Sequence, residues 1–302
     1  MALGTGFAAE DKGTPRLAKR RYGRTDIELS IIGFGGIVVM NAEQSSANRA
    51  VAKAVERGIN YFDVAPSYGD AEIKLGPALE PYRKDVFLAC KTAQRERKAA
   101  EAEFARSLKL LRTDHFDLYQ LHAITDVEKD VDSVFMKEGV MDMIDREKRD
   151  GRIRYVGFSA HSEEAALAAL DRYDFDSILF PVSFATYLEG NFGPRVMEVC
   201  RKKKVAVLAL KGMAKQHWQG DAMLRQMYPK CWYEPLHEPD WSELGLRWTL
   251  SQPVVSAVPP GEEPLFWKAV EIAERFKPIR EQETARLKEY AATLKPLFRG
   301  HA

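Results

Sequence analysis

The sequence predicts a (β/α)8 barrel, and three observations carry that reading. Short apolar runs alternate with helical patterns along nearly all of the 302-residue chain, giving eight strand–helix units in succession. The strands are apolar almost throughout instead of alternating, as expected of a parallel sheet covered on both faces. No shift in composition marks a linker, and eight such units in a chain of this length close naturally into a barrel. An open doubly wound sheet is the main rival. Its GxGxxG first turn is missing, because Gly33, Gly35 and Gly36 are followed by Val38 and Val39.

Taken in order, residues 1–18 read as a flexible tail and residues 19–302 as a single barrel domain. Arg20-Arg21 is followed by the largely polar stretch 22–30, not by the apolar segment of an export signal, so a cytoplasmic location is expected. The apolar run 31–40 contains three glycines and is too short to span a bilayer. LAKRRYGRTDIELS (17–30) forms a small hairpin that turns at Gly23 to Asp26. SIIGFGG (30–36) is the first barrel strand, with SSANRAVAKAVERG as its helix, and NYFDVA (60–65) is the second, with DAEIKLGPALEPY. VFLACKT (86–92) precedes a helix whose Phe104, Leu108 and Leu111 share one face. FDLYQLH (116–122) precedes a helix from Val131 to Asp150 that stops at Gly151.

RYVGFSAH with SEEAALAALDRY, and SILFPVSF with GPRVMEVCRKKK, make the fifth and sixth units. VAVLALKG with a helix over Glu243 to Leu250, and VSAVPPG with LFWKAVEIAERF, complete the eight. Met213 to Asp240 is too long for an ordinary connection and follows the seventh strand, so it should overhang the barrel mouth. A last helix, from Glu281 to about Leu294, packs outside.

Apolar residues make up 45% and charged residues 29% of the chain, enough for a sizeable core, and the formal charge of +1 gives no reason to expect nucleic acid or an acidic membrane as partner. Small molecules or proteins remain. Cys90, Cys200 and Cys231 are odd in number and lack CxxC spacing, which argues against a disulfide framework or a cysteine zinc site. His217 and His237 lie near Cys231 without ligand spacing, so no metal is expected. The basic runs 19–21 and 201–204 read as solvated faces.

In a barrel of this kind, chemistry sits at the carboxyl ends of the strands. The ends of strands two, three and four carry Asp63, Lys91 and His122, and Tyr68 stands in the second loop. Singly, these read as a cap, a solvated lysine, a core histidine and a packing tyrosine. Adjacent strands, however, put all four at one mouth. There a Lys91 ammonium, oriented by Asp63, would favour the Tyr68 phenolate and make the phenol a better acid. His122 could offer an N–H to a carbonyl oxygen. Together they can protonate that oxygen while a hydride reaches its carbon.

The stretch FDVAPSYGDAEIKLG, with CKT, DLYQLH, RIRYVGFS and the hairpin RRYGRTDIELS, resembles the aldo-keto reductases over residues 19–276. That resemblance implies a catalytic tetrad of Asp63, Tyr68, Lys91 and His122, a small carbonyl substrate, and a nicotinamide cofactor lying across the barrel mouth. Cofactor contacts are then expected from Gly35, Gly36, Asp63, Ser159, His161, Lys211, Gly261 and Lys268.

The chain departs from the family at three positions of the cofactor groove. The Ser-Asn pair after strand five reads Ser159-Ala160-His161. A glutamine expected near Leu179 to Pro181 is missing, and the position of an expected ring-stacking aromatic is held by Ala209 or Leu210. The resemblance favours NADP(H). Glu262 and Glu263 after strand eight would repel a phosphate, leaving NAD(H) as the other form, with Lys268 as a compensating cation.

Phe34, Tyr187, Phe192, Trp218, Trp232 and Tyr233 are candidate pocket walls. Two further readings stand beside the reductase. One is a catalytically weak or non-catalytic relative that senses cofactor or binds protein. The other is an aldolase-like barrel using Lys91 as a Schiff base, which would need a neutral lysine that Asp63 opposes.

Overall fold

The computed structural model describes residues 17–300. It opens with an antiparallel hairpin, β1 (Lys19–Arg21) and β2 (Glu28–Ser30), with Lys19 opposite Ser30. The expected flexible tail falls largely on residues 1–16, which lie outside the described residues. Leu17 is buried and the Ala18 carbonyl accepts the Ile31 amide at 2.9 Å, so these two belong to the folded hairpin.

Seven parallel strands follow: β3 (Phe34–Gly35), β4 (Tyr61–Asp63), β5 (Phe87–Thr92), β6 (Phe116–Ile124), β7 (Ile153–Ala160), β8 (Ser177–Pro181) and β9 (Ala206–Leu210). Next, β10 (Ala214–Gln216) and β11 (Glu234–Pro235) pair antiparallel outside the sheet, and β12 (Ser256–Val258) joins β9. The sheet runs β3 to β9 in chain order and then β12, and it closes where Ile32 bridges Ala257. Backbone bonds from Gly33 to Ala257 and from Ala257 to Ile31, each 2.9 Å, complete that seam. The protein is therefore a (β/α)8 barrel.

The helices are α1 (Gln44–Glu56), α2 (Ala71–Leu79), α3 (Arg97–Leu110), α4 (Val140–Arg149), α5 (Glu163–Arg172), α6 (Pro194–Lys203), α7 (Ala222–Met227), α8 (Pro239–Ser251), α9 (Glu263–Glu274) and α10 (Glu281–Ala291). Ser162 caps α5 by accepting the Ala165 amide, with Glu163 and Glu164 in the first turn beside the positive helix end.

The barrel is filled from two sides. Tyr22 and Leu29 of the hairpin pack against the inward residues Tyr61, Phe87, Leu118, Leu179 and Leu208, and the Tyr22 hydroxyl donates to Ser177 Oγ at 2.7 Å. The hairpin thus plugs the amino-terminal end, leaving the carboxyl end as the open mouth.

Four expectations change. The first barrel strand shortens to Phe34–Gly35: Ser30 belongs to the hairpin, and Gly36–Val39 form a 3-10 turn. Close packing is the cause, since a Cβ on Gly33 would strike the Tyr61 ring at 2.4 Å. The helix expected from Val131 breaks into a π-turn over Val127–Asp132, a 3-10 turn over Ser133–Phe135, and α4. Glu138 has φ 66°, and a Cβ on Gly139 would meet the Val134 carbonyl at 2.4 Å, so the chain cannot continue as one helix there. In the run 19–21, Arg20 is not merely solvated: it donates to the Leu250 and Val254 carbonyls, both at 2.6 Å, at the end of α8. Lastly, the chain beyond α10 returns to the mouth, where Phe298 packs 5.6 Å from His161.

Candidate active site

The inward faces of three neighbouring strands build the site floor. Side chains alternate along a strand, so Tyr61 and Asp63 of β4, Ala89 and Lys91 of β5, and Leu118, Gln120 and His122 of β6 point inward. The register sets Asp63 beside Ala89 and Lys91 beside Gln120. Lys91 is fully buried and Asp63 nearly so, and the two form an ion pair at the base of the mouth. The Lys91 ammonium also donates to the Val64 carbonyl at 3.2 Å. A buried ammonium needs such partners, because desolvation without them would drive its proton off. Burial alone would lower Lys91, yet Asp63 and Tyr68 hold it above the ordinary lysine range.

Tyr68 stands over this pair, with its ring centroid 5.2 Å from Lys91 Nζ and edge-on to His122 at 5.7 Å. Gly69, with φ 58°, lets the chain turn directly after it. The expected net acidification of Tyr68 is corrected. Burial raises its pKa above the ordinary tyrosine value and outweighs the lowering by Lys91. Tyr68 is therefore a protonated phenol at neutral pH. The effect of the ammonium emerges by comparison with Tyr61, which burial and Asp63 push well above the usual range with no cation to oppose them.

His122 is half-buried, its Nδ1 3.4 Å from the Ser67 hydroxyl and its carbonyl bonded by Arg95. Burial, then Lys91, His161 and Arg95, depress it to about 3, so the imidazole is neutral. His161 is lowered to about 4 by burial and by Lys211.

One cavity of about 230 Å³ is lined by Asp63, Tyr68, His122, Gly35, Ser159, His161, Lys211 and Gly261, and Lys91 lies behind it. Ser159 Oγ accepts the Ala123 amide at 2.7 Å and keeps its own proton free to donate. Lys211 has φ 65° and sits over the rings of Trp232 and Tyr233, 4.9 and 4.6 Å from their centroids. Burial lowers it to about 8. Two expected cofactor contacts lie elsewhere: Gly36 packs against Val64, and Lys268 donates to the His237 carbonyl at 2.6 Å.

Of the candidate pocket walls, Trp232 and Tyr233 line the cavity. Phe34 packs on Phe62 and Phe266, Phe192 on Phe180, and Tyr187 on Trp248.

The long segment after the seventh strand forms a strap over this cavity. Residues 230–233 cross it, the Lys230 ammonium donates to the Ile37 and Val38 carbonyls, and Trp218 donates to the Cys231 carbonyl at 3.0 Å. The buried Glu262 carboxylate accepts the Lys230 amide.

Sequence reasoning missed Tyr61, Gln120, Lys230 and this use of Glu262. Gln120 had a readable signal, since a polar residue two places before His122 shares its face. The Lys230–Glu262 contact joins residues 32 apart and has no local signature.

The Aldo/keto reductase family model matches residues 32–223. An uncharacterized oxidoreductase, YqkF, of Bacillus subtilis (strain 168) is 32% identical over 158 residues, covering 48% of this chain and 49% of that protein. The L-galactose dehydrogenase of Arabidopsis thaliana is 27% identical over 191 residues, 57% of either chain. The chain thus spans about half the length of these curated relatives. The aldo-keto reductase AKR11C1 from Bacillus halodurans (holo form) has the same fold, with a TM-score of 0.71 at 22% identity over 94% of this chain and 100% of that one. With its barrel and well over half of its length matched by the family model, this chain belongs to the aldo/keto reductase family.

Proposed function

We propose that the protein is an oxidoreductase that reduces an aldehyde or ketone to its alcohol, with Tyr68 as general acid. The observation that carries this reading is the convergence of Asp63, Tyr68 and His122 on one cavity, with Lys91, the ion-pair partner of Asp63, directly behind. A carbonyl oxygen between them would take the phenol proton from Tyr68, while the neutral His122 offers an N–H to the developing charge. Lys91 then steadies the phenolate that remains, and Asp63 keeps Lys91 in place. A charged lysine is also the reason to set aside the Schiff-base reading, which needs a neutral amine.

A nicotinamide dinucleotide, when bound, supplies the hydride. The donor set suits it: Ser159 has a free proton, His161 lies beside it, and the Lys211 ammonium has no ion-pair partner among the described residues. Gly35 keeps the wall open, since a Cβ there would come 3.1 Å from Val258. NADPH is the form the family favours. Glu262 turns inward to the strap, which removes one of the two acids set against its phosphate, while Lys268 is occupied by His237. NADH is the alternative form.

Tyr68→Phe is expected to lower turnover of any carbonyl that the wild type reduces by about a hundred- to ten-thousandfold, with unchanged melting. Full turnover by that variant would refute the assignment.

A second reading, a sensor or scaffold, draws on Leu179 and Leu210, apolar wall residues where the family has a polar or an aromatic group. Fluorescence titration with NADPH and NADH separates the two. Binding of neither at a concentration on the order of 1 mM would favour the scaffold.

A further inference from the structure

Asp63 has two oxygens, and they are used differently. Oδ1 pairs with Lys91. Oδ2 accepts the Tyr61 hydroxyl and the Gln120 side-chain amide, each at 3.0 Å. All four residues are buried. A carboxylate with one oxygen unbonded could rotate about its terminal torsion, which is broad. Two donors on the second oxygen remove that freedom and share its charge. Gln120 has no choice of orientation here: the flipped amide would set its oxygen against the carboxylate. The amide oxygen itself is buried without a partner. Leaving an acceptor unsatisfied costs free energy, so the amide is held by its donor side.

Tyr61 is equally constrained. Its ring fills the space left by Gly33, packs 6.1 Å from Phe87, and joins the plugged barrel floor. Its pKa lies well above the ordinary range, so the hydroxyl stays a donor throughout the accessible pH range.

We infer that Gln120 and Tyr61 are positioning residues for the proton donor: by fixing the outer oxygen of Asp63 they hold the Lys91 ammonium beneath Tyr68. This deepens the reductase reading above and rests on Tyr68 being the acid. The groups around Tyr68 are Asp63 and Tyr61 from β4, Lys91 from β5 with Cys90 on that strand's outward face, and His122 from β6, with His161, Lys211 and Lys230 lining the same cavity. The Lys91 ammonium lies 5.2 Å from the Tyr68 ring centroid and favours its phenolate, so an ammonium that drifts from that place should let the phenol titrate higher.

The test uses the full chain, with Tyr61→Phe and Gln120→Leu, and carbon-13-labelled tyrosine followed by NMR. The Tyr68 signal is assigned by its loss in Tyr68→Phe. Each variant is expected to move the Tyr68 titration upward by about one pH unit. With benzaldehyde as probe, kcat should fall about tenfold while KM stays within about twofold. In alcohol oxidation, where Tyr68 must be deprotonated, the acid limb should move upward by the same amount.

An unmoved Tyr68 titration in variants that melt like the wild type overturns the inference, as does a change confined to KM. If Gln120→Leu fails to fold, Tyr61→Phe decides, because it removes a single oxygen and keeps the packed ring. If the wild type reduces no carbonyl, the functional reading falls, while the NMR titration still decides whether these two residues tune Tyr68.

Discussion

On one side of the cavity the groups beneath Tyr68 all come from barrel strands. Asp63, Lys91 and Gln120 are buried, bonded to one another, and locked by the register of β4, β5 and β6. On the other side Lys211 follows the last residue of β9, and Lys230, Cys231, Trp232 and Tyr233 come from the strap, where Trp232 is 51% exposed. The first wall is rigid because its backbone is shared by neighbouring strands. The second is held by a handful of polar contacts across an otherwise apolar surface. A barrel can therefore keep one arrangement of charges while its opposite wall is rebuilt around different ligands.

The largest expected effect breaks the rigid wall. Lys91→Met leaves the Asp63 carboxylate buried and unpaired, which should cost about 3–5 kcal/mol of stability as well as activity. Adding Asp63→Leu should restore much of the stability, and none of the activity, in denaturant unfolding and turnover assays. If the double variant stays as unstable as the single one, the pair is not what strains the wall.

A smaller effect should appear across the cavity. Glu262→Ala removes the acceptor of the Lys230 amide, so the strap should open more often. Trypsin cleavage after Arg225 and Lys230 should speed up about tenfold, the size of one charge-assisted hydrogen bond, while the Tyr68 titration followed by NMR stays near that of the wild type. Equal cleavage rates would mean that other contacts hold the strap.

The mildest effect is on acid stability. His122 and His161 are depressed to about 3 and about 4, below the value of about 6.5 for an unfolded histidine. Below that value the unfolded chain binds more protons than the folded one, so stability is fully present above about pH 6.5 and falls as pH drops toward 4. His161→Gln should flatten part of that slope in melts between these limits. An unchanged slope would place its titration outside the buried wall.

The barrel, the rigid wall and the place of the long segment over the mouth were legible in the sequence, and the contacts that hold that strap were not. Eight apolar runs between helical patterns declare a parallel sheet, and Asp63, Lys91 and His122 each end such a run, so their meeting follows from topology alone. Gln120 lay within reach of the same logic, two residues before His122. What escaped depends on tertiary packing. Nothing near Gly139 announces the broken helix until the Val134 carbonyl occupies the space of its missing Cβ. Glu262 looks like a repulsive acid in the sequence, and only the strap shows where its charge is used. The acidity of Tyr68 needed the structure too, because burial and Lys91 oppose each other and sequence carries no measure of depth.

The hairpin beneath the barrel has a consequence for traffic. With Tyr22 sealed against Ser177 and the inner core, the well has a floor and opens at the opposite end. Two molecules that share such a well cannot exchange places inside it. If two ligands do share it, the deeper one enters first and leaves last, a queue imposed by the far end of the protein.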